Sequence, residues 1–434
     1  MTLPRRSSHT AAGLHGRQVR QSGVASLIVV MVLFFIISMV AAYTSRNLIF
    51  EQRTSTNQYR STQALEAADA GLQWALGLLN SGRIDPSCVA STNLADTSFR
   101  QRYMSINGST GAITPQLTSL GATLMPSCVF DGSNWQCSCP VDGAPSVTTP
   151  SGSGVFPAFR VRFLAMARPG VVKIESNGCT RNADGCLNFP ASGSDNEGRV
   201  TVTALVALKG GVSTIPAAPL TLKGTLNLGG AALSAVNSDA ATAGITIQAG
   251  GAVVKAGLNL VTTPGTPSEL SVVDSDTSLS SLSANRMFAN VFGLWRDTYR
   301  DQPGAVLLDC GLGGCSANTV RTTIAQNPGR VLWLQGDFSV DSAGDIGSAA
   351  EPVVIVASGG VTFTAAARMY GLLYTQAATW TTSGAAEVRG AVVAEGNVTG
   401  GSTATFVYDA PLLTQLRTRS GSFALVPGSW RDFQ

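Results

Sequence analysis

From Val24 to Ser45 the chain reads VASLIVVMVLFFIISMVAAYTS, 22 residues without a charge. Coiled as a helix at about 1.5 Å per residue, this run spans roughly 33 Å, enough to cross the hydrocarbon of a bilayer. Arg5, Arg6, Arg17 and Arg20 precede it with no acid among them. The positive-inside bias therefore keeps residues 1–23 in the cytoplasm and sends everything after Arg46 outward, into the periplasm or beyond. A secretory signal cut near Ala41 and Ala42, or a plain single-pass anchor, begins in the same way. The residues beyond the apolar run separate them: no Gly or Pro occurs between Val24 and Ala70, and the next proline is Pro86. The helix has no reason to stop at the membrane surface. Leu65, Ala68, Leu72, Leu76 and Leu79 recur at spacings of three and four, with Glu66, Asp69 and Gln73 off that face, which predicts one amphipathic continuation to Asn80. Such a rod is on the order of 85 Å long.

A basic leader ending in Gly23, an apolar half-helix (24–45) and an amphipathic half-helix (46–80) in one rod resemble the N-terminal plan of type IV pilins. Glu51, Asn57, Arg60 and the run QALEAADAGLQWAL (Gln63 to Leu76) are similar to the N-terminal region of PilX-type minor pilins, over about residues 20–80. Asp69 stands where those relatives often carry Glu. The resemblance implies that prepilin peptidase cuts after Gly23 and that Val24 becomes a methylated N-terminus. It also implies an assembly helix with Ile28, Glu51, Asn57, Arg60, Glu66 and Asp69 on it.

Most fibre-forming members have Glu at the fifth mature position, and here that position is Ile28. A buried acid is costly unless paired, and in the family it meets a neighbour's N-terminal amine. A chain without it is expected to be a minor subunit at the fibre tip or in an initiating complex. Other minor pilins, the main pilin, the inner-membrane assembly machinery and prepilin peptidase are the partners the resemblance implies. The expected path is the inner membrane first and an extracellular pilus afterwards. A minor pseudopilin of type II secretion and an anchored binding protein that never polymerises are the alternatives.

Composition narrows the rest. The 434 residues predict more than one packed unit, and 44% apolar against 13% charged is too apolar for a disordered chain. Removing the four leader arginines from the formal charge of +3 leaves −1, so no nucleic-acid partner is expected. Both histidines, His9 and His15, lie in the leader. A cut chain thus has no Ser-His-Asp triad, His-paired thiol or His-ligated zinc. Lys173, Lys209, Lys223 and Lys255 are the only lysines, with no phosphate loop and no Gly-x-Ser-x-Gly elbow around them. We expect no enzyme, no cofactor and no resident metal.

All eight cysteines, Cys88, Cys128, Cys137, Cys139, Cys179, Cys186, Cys310 and Cys315, come after the membrane segment, and an even number in an oxidising compartment reads as disulfides. Local loops favour Cys179 with Cys186 and Cys310 with Cys315. Cys137 and Cys139 are too close to bond each other easily, so each reaches Cys88 or Cys128. Residues 81–220 read as a strand-rich, disulfide-containing domain. Its short apolar runs at Phe159–Ala167 and Arg199–Leu208 are separated by turn-rich stretches at Thr148–Gly154 and Ala191–Gly198.

In residues 221–434 a rung-like repeat appears. LWLQGDFSV (Leu332–Val340), VIVASGGVTF (Val354–Phe363), LLYTQAATW (Leu372–Trp380) and VVAEGNVTG (Val392–Gly400) start 22, 18 and 20 residues apart, and GITIQAGGAVV (Gly244–Val254) has the same character. Small corners between apolar runs suit the coils of a β-solenoid; a β-sandwich or meander is the other reading. The fold class expected is α+β, a long N-terminal helix carrying a β-rich body. Weaker candidates are Asp274 with Asp276, or Asp337, Asp341 and Asp345, as calcium ligands on surface turns. Glu387 and Glu395 could be read as a glycosidase-type carboxylate pair, but on facing rungs they are expected to be solvated strand residues. Trp295, Trp333, Trp380 and Trp430 would be surface or sugar contacts unless they are core.

Overall fold

The structure is a computed structural model that describes residues 24–151, 155–190, 197–381, 385–401 and 403–432. The expected leader and Gly23 lie outside the described residues, as do parts of the two turn-rich stretches. The chain is mixed α and β, and its contacts divide it into two units that meet between Tyr59 and Arg60. The opening helix, α1, runs from Val24 to Leu79. It ends where Asn80-Ser81-Gly82 supplies poor helix formers, and the last carbonyls are met by Asn80 N to Gly77 O at 3.1 Å and Ser81 N to Leu78 O at 3.0 Å.

In the second unit, α1 is succeeded by an antiparallel six-stranded sheet. Its order is Gly421–Leu425, Arg199–Gly210, Val171–Cys179, Ala158–Ala165, Ser127–Phe130 and Trp135–Ser138. The first of these in space is the last strand in sequence. It pairs Phe423 with Leu208. The short helix Phe99–Tyr103 packs beside the sheet, opened by a capping box in which Ser98 and Gln101 bond each other's backbone N–H.

The repeat is a β-solenoid. Among the described residues sixteen strands form one sheet, and its named pairings are all parallel. Leu332, Ile355, Leu373, Val392, Leu220, Ile247 and Val272 succeed one another across it, each in register with the next. This discards the sandwich reading, whose sheets would be antiparallel. Stacking order departs from sequence order. Leu220–Leu222 lies between Ala386–Ala394 on one side and Ile247–Ala249 on the other. The chain thus starts its solenoid mid-stack, winds toward Val272–Val273, then crosses back to Ala305–Asp309 at the other end.

The crossing segment explains the composition of the central strands. Met287, Phe288 and Phe292 from helix Ala284–Phe292, with Tyr299, pack on Trp333, Val354, Val356, Leu372 and Tyr374. The opposite side of the same strands, Leu332, Leu334, Ile355 and Leu373, fills the solenoid interior. Strands buried on both sides need unbroken apolar runs, as VLWL and VVIVA are, whereas alternating runs leave one side in water. Ser283 caps that helix and Gly293, in the left-handed region at φ +70°, ends it.

Candidate assembly helix and its mounting

The first half of α1 presents apolar side chains all round. Leu27, Ile28, Phe34, Ile37, Tyr43 and Phe50 are exposed, Phe34 and Phe50 to 72% and 74%. No acid occurs before Glu51 and, within the helix, no charge before Arg46. Three threonine hydroxyls along and just beyond this stretch turn back on the helix itself. Thr44 Oγ1 donates to Val40 O at 2.9 Å, Thr54 to Phe50 O at 3.0 Å and Thr56 to Gln52 O at 2.7 Å. Such back-bonding satisfies a hydroxyl where water is scarce. Among described residues this helix is the one long and apolar enough to cross a membrane. Val24 begins it, Ile28 lies on the apolar part, and Glu51 and Asn57 are exposed.

From Arg60 onward one face of the helix is covered. Ala64, Ala67, Ala68, Leu72, Ala75 and Leu79 are buried, while Leu65 and Leu76 are only partly so. Ala68, Leu72 and Leu79 of the face expected from periodicity are thus buried, and the stripe extends from them toward the small residues Ala64 and Ala67. The reason is close approach. A Cβ on Gly178, in strand Val171–Cys179, would lie 2.1 Å from Ala64 O and 2.3 Å from Ala68 N. Backbone meets backbone there, so only small side chains fit on either side. Below the seam Leu72 packs with Val202 and Ala204, and Trp74 meets Phe99 edge-on at 5.5 Å.

Polar groups fix the rest. Asp69 Oδ1 accepts from Trp430 Nε1 at 3.1 Å, so this Asp ties the C-terminal segment to the helix. Glu66 is exposed and Arg60 partly buried. Asn80 donates to Phe423 O and accepts from Phe423 N at 2.9 and 2.8 Å. Arg100, 3% exposed, donates to Leu79 O, Gly329 O and Gly421 O at 2.9 to 3.1 Å. It thereby joins the end of α1, a solenoid turn and the last strand. Burial, and then the nearby Arg330, pull its guanidinium down to about 9. Neither Asn80 nor Arg100 belongs to a motif that sequence reading would single out. Gly178 gives no clear signal either, since the polar Glu175-Ser176-Asn177 precedes it.

Four disulfides staple this unit: Cys88–Cys139, Cys128–Cys137, Cys179–Cys186 and Cys310–Cys315. The two local loops pair as expected. Of the open alternatives, Cys137 takes Cys128, its cross-strand neighbour, and Cys139 takes Cys88. Arg102 fixes that region by donating to Asp85 O and Cys139 O, both at 2.8 Å.

The weaker candidates resolve into structural roles. Asp276 caps helix Thr277–Ser280, accepting from Ser278 and Leu279 N–H groups; hydrogen bonds from Ser278 and Gln248 hold its carboxyl below the usual range. Asp337 Oδ1 accepts from Gly360 N at 2.8 Å, Asp341 Oδ1 from Ala317 N at 3.1 Å, and Asp345 offers its backbone O to Arg321 at 3.2 Å. Among described residues no cluster of three or more His, Cys, Asp or Glu suits a metal. Glu387 and Glu395 are not on facing rungs. Glu387 lies near the start of strand Ala386–Ala394 and Glu395 directly follows its end. Glu387 pairs with Arg368 at 2.9 Å and Arg389 at 2.5 Å, and although burial opposes it, these partners hold its carboxyl low. Glu395 pairs with Arg296 and accepts from Tyr374 at 2.6 Å. Trp333 and Trp380 are core residues, the latter stacked on Phe363 at 4.9 Å. Trp295 and Trp430 are exposed.

Residues 22–73 match the family model described as PilX N-terminal. They therefore carry a PilX-type N-terminal region, and the seam of small residues lies within it. Among solved structures, the competence-associated pilin ComZ from Thermus thermophilus is 9% identical. The match covers 86% of this chain and 97% of that one at a TM-score of 0.22, a likeness too slight to bear on fold or function. No curated protein matches the chain.

Proposed function

We propose that this protein is a minor subunit of a type IV pilus, non-enzymatic, and assembled through the first half of α1. The observation that carries the reading is the PilX-type region on a helix whose leading half exposes apolar side chains and no acid. Such a surface is satisfied by lipid, and equally by the apolar helices of other subunits in a fibre core. Ile28 in place of an acid removes the pairing that a repeating subunit uses, which supports a place at the tip or in an initiating complex. The body faces the periplasm before assembly and the exterior afterwards, with the solenoid as its outward, adhesive part. Prepilin peptidase cuts after Gly23 and Val24 becomes the methylated end. Other minor pilins, the main pilin and the inner-membrane machinery are the partners. The domains are the helix halves at 24–45 and 46–80, then 81–220 and 221–434. A minor pseudopilin of type II secretion uses the same helix without the acid.

N-terminal sequencing of the membrane-extracted chain tests this. A start at Val24 supports it; Met1 means a plain anchor, and a start near Tyr43 an ordinary signal. Recovery of the chain in sheared pili, and its loss from them when leader cutting is blocked, separates assembly from anchoring.

A further inference from the structure

Beside the junction of the short helix Phe99–Tyr103 with the solenoid lies a cleft of about 530 Å³, within the range of small-molecule sites. Five arginines line it: Arg83, Arg100, Arg321, Arg330 and Arg419. Every one donates to backbone carbonyls: Ala325 O for Arg83, Gly329 O for Arg100, Ser342 O for Arg321, Ala305 O for Arg330 and Ala350 O for Arg419. Among the described residues none pairs with a carboxylate. The two acids on the lining, Asp345 and Glu351, are exposed, and Glu351 is already engaged by Gln101 Nε2 at 2.7 Å.

Carbonyl dipoles satisfy N–H groups but leave net charge in place, and desolvated like charges repel. Arg100 is buried with Arg330 near enough to act on it, and the Arg330 Nε atom is buried with no acceptor among the described residues. The guanidinium fork matches the two oxygens of a carboxylate or phosphate, and an anion would offset the excess charge at the same time. Met104 and Val306 give the lining an apolar portion suited to a carbon body.

We propose that this cleft binds a small organic oxyanion, held by the Arg330 and Arg419 guanidinium groups, with Arg100 as fixed positive charge behind them. The site is independent of whether the chain polymerises.

The test is calorimetric titration of the full-length chain in detergent with citrate, and separately with inorganic phosphate, each against chloride at matched ionic strength. We expect saturable binding of at least one probe, weakened tenfold or more by Arg330→Gln and by Arg419→Gln, and unchanged by Arg181→Gln on the exposed surface. Binding of citrate alone assigns a carboxylate ligand, of phosphate alone a phosphate ligand, and of both an oxyanion site with broad acceptance. Should Arg330→Gln fail to fold, Arg419→Gln, on a partly exposed residue, carries the test. No saturable heat beyond chloride, or an affinity that the foldable variants leave unaltered, overturns the proposal.

Discussion

Asn80 and Phe423, 343 positions apart, exchange two hydrogen bonds: the Asn80 side-chain amide donates to Phe423 O at 2.9 Å and accepts from Phe423 N at 2.8 Å. The amide acts as one more peptide unit beside the last strand, which is paired on its other side with Arg199–Gly210. It holds the end of α1 against the C-terminal strand, and both partners are buried.

Asn80→Ala leaves that N–H and C=O buried and unpaired. At about 1–3 kcal/mol for each unsatisfied group, the expected loss is roughly 2–6 kcal/mol. Asn80→Asp restores the acceptor but sets a carboxylate against Phe423 O, and should be no better than alanine. Denaturant titration of the solubilised chain measures both.

The seam of α1 gives a second prediction. Gly178→Ala puts a Cβ 2.1 Å from Ala64 O and 2.3 Å from Ala68 N, both backbone atoms. The helix or the strand must move, at an expected cost of about 3 kcal/mol. Gly77→Ala is the contrast, since nothing lies within 4 Å of its added carbon. In a helix interior it should stabilise by about 0.5–1 kcal/mol. Melting temperatures moving in opposite directions would bear this out; a silent Gly178→Ala would mean the helix does not seat there.

How far the sequence reached depends on how local each signal is. The apolar start of α1 and its length were legible because they need only the absence of charge, Gly and Pro. The face it buries was legible in part: Ala68, Leu72 and Leu79 are buried as the periodicity expects, whereas the backbone-to-backbone approach at Gly178 also buries Ala64, whose apolarity is slight, and Leu65 and Leu76 are only partly covered. The rungs were legible because Leu332, Val354, Leu372 and Val392 recur at nearly even spacing. Their order was not, since nothing near Leu220 states that Val392 will be its neighbour; parallel pairing is chosen at long range. Which of the four tryptophans would be core could not be read, because the crossing helix that covers Trp333 and the stacked interior around Trp380 are both tertiary. The cleft arginines gave no sequence signal at all, being far apart in the chain.

Acid should weaken the antiparallel sheet through Glu175, which is 4% exposed and lies in register opposite Arg162. Burial alone would raise its pKa, but Lys173 Nζ at 2.6 Å and Arg162 Nε at 2.7 Å hold the carboxyl below the usual range. A depressed native pKa adds stability that is complete above the unfolded value, about 4.3, and is lost as pH falls through the native one. Wild type should therefore lose stability steeply below about pH 4. Glu175→Gln should be weaker at neutral pH and lack this acid-dependent component. Stability measured from pH 7 to 3 on both proteins decides it, and parallel curves would show that Glu175 is not the group responsible.

The stacking order of the solenoid is open to a direct chemical test. Asn227 and Thr399 are exposed and in register on adjacent parallel strands, although 172 residues separate the neighbouring contact between Thr225 and Asn397. Adjacent strands lie about 4.8 Å apart, within reach of a disulfide. Thr379 is the register partner of Thr399 on its other side, which puts it roughly 9–10 Å from Asn227, beyond that reach. With the eight native cysteines paired among themselves, Asn227→Cys with Thr399→Cys should oxidise to a fifth bridge, detected as a mass loss of two hydrogens and one cross-linked peptide. Asn227→Cys with Thr379→Cys should stay reduced. A solenoid wound in simple sequence order would place residue 227 far from residue 399, and neither pair would close.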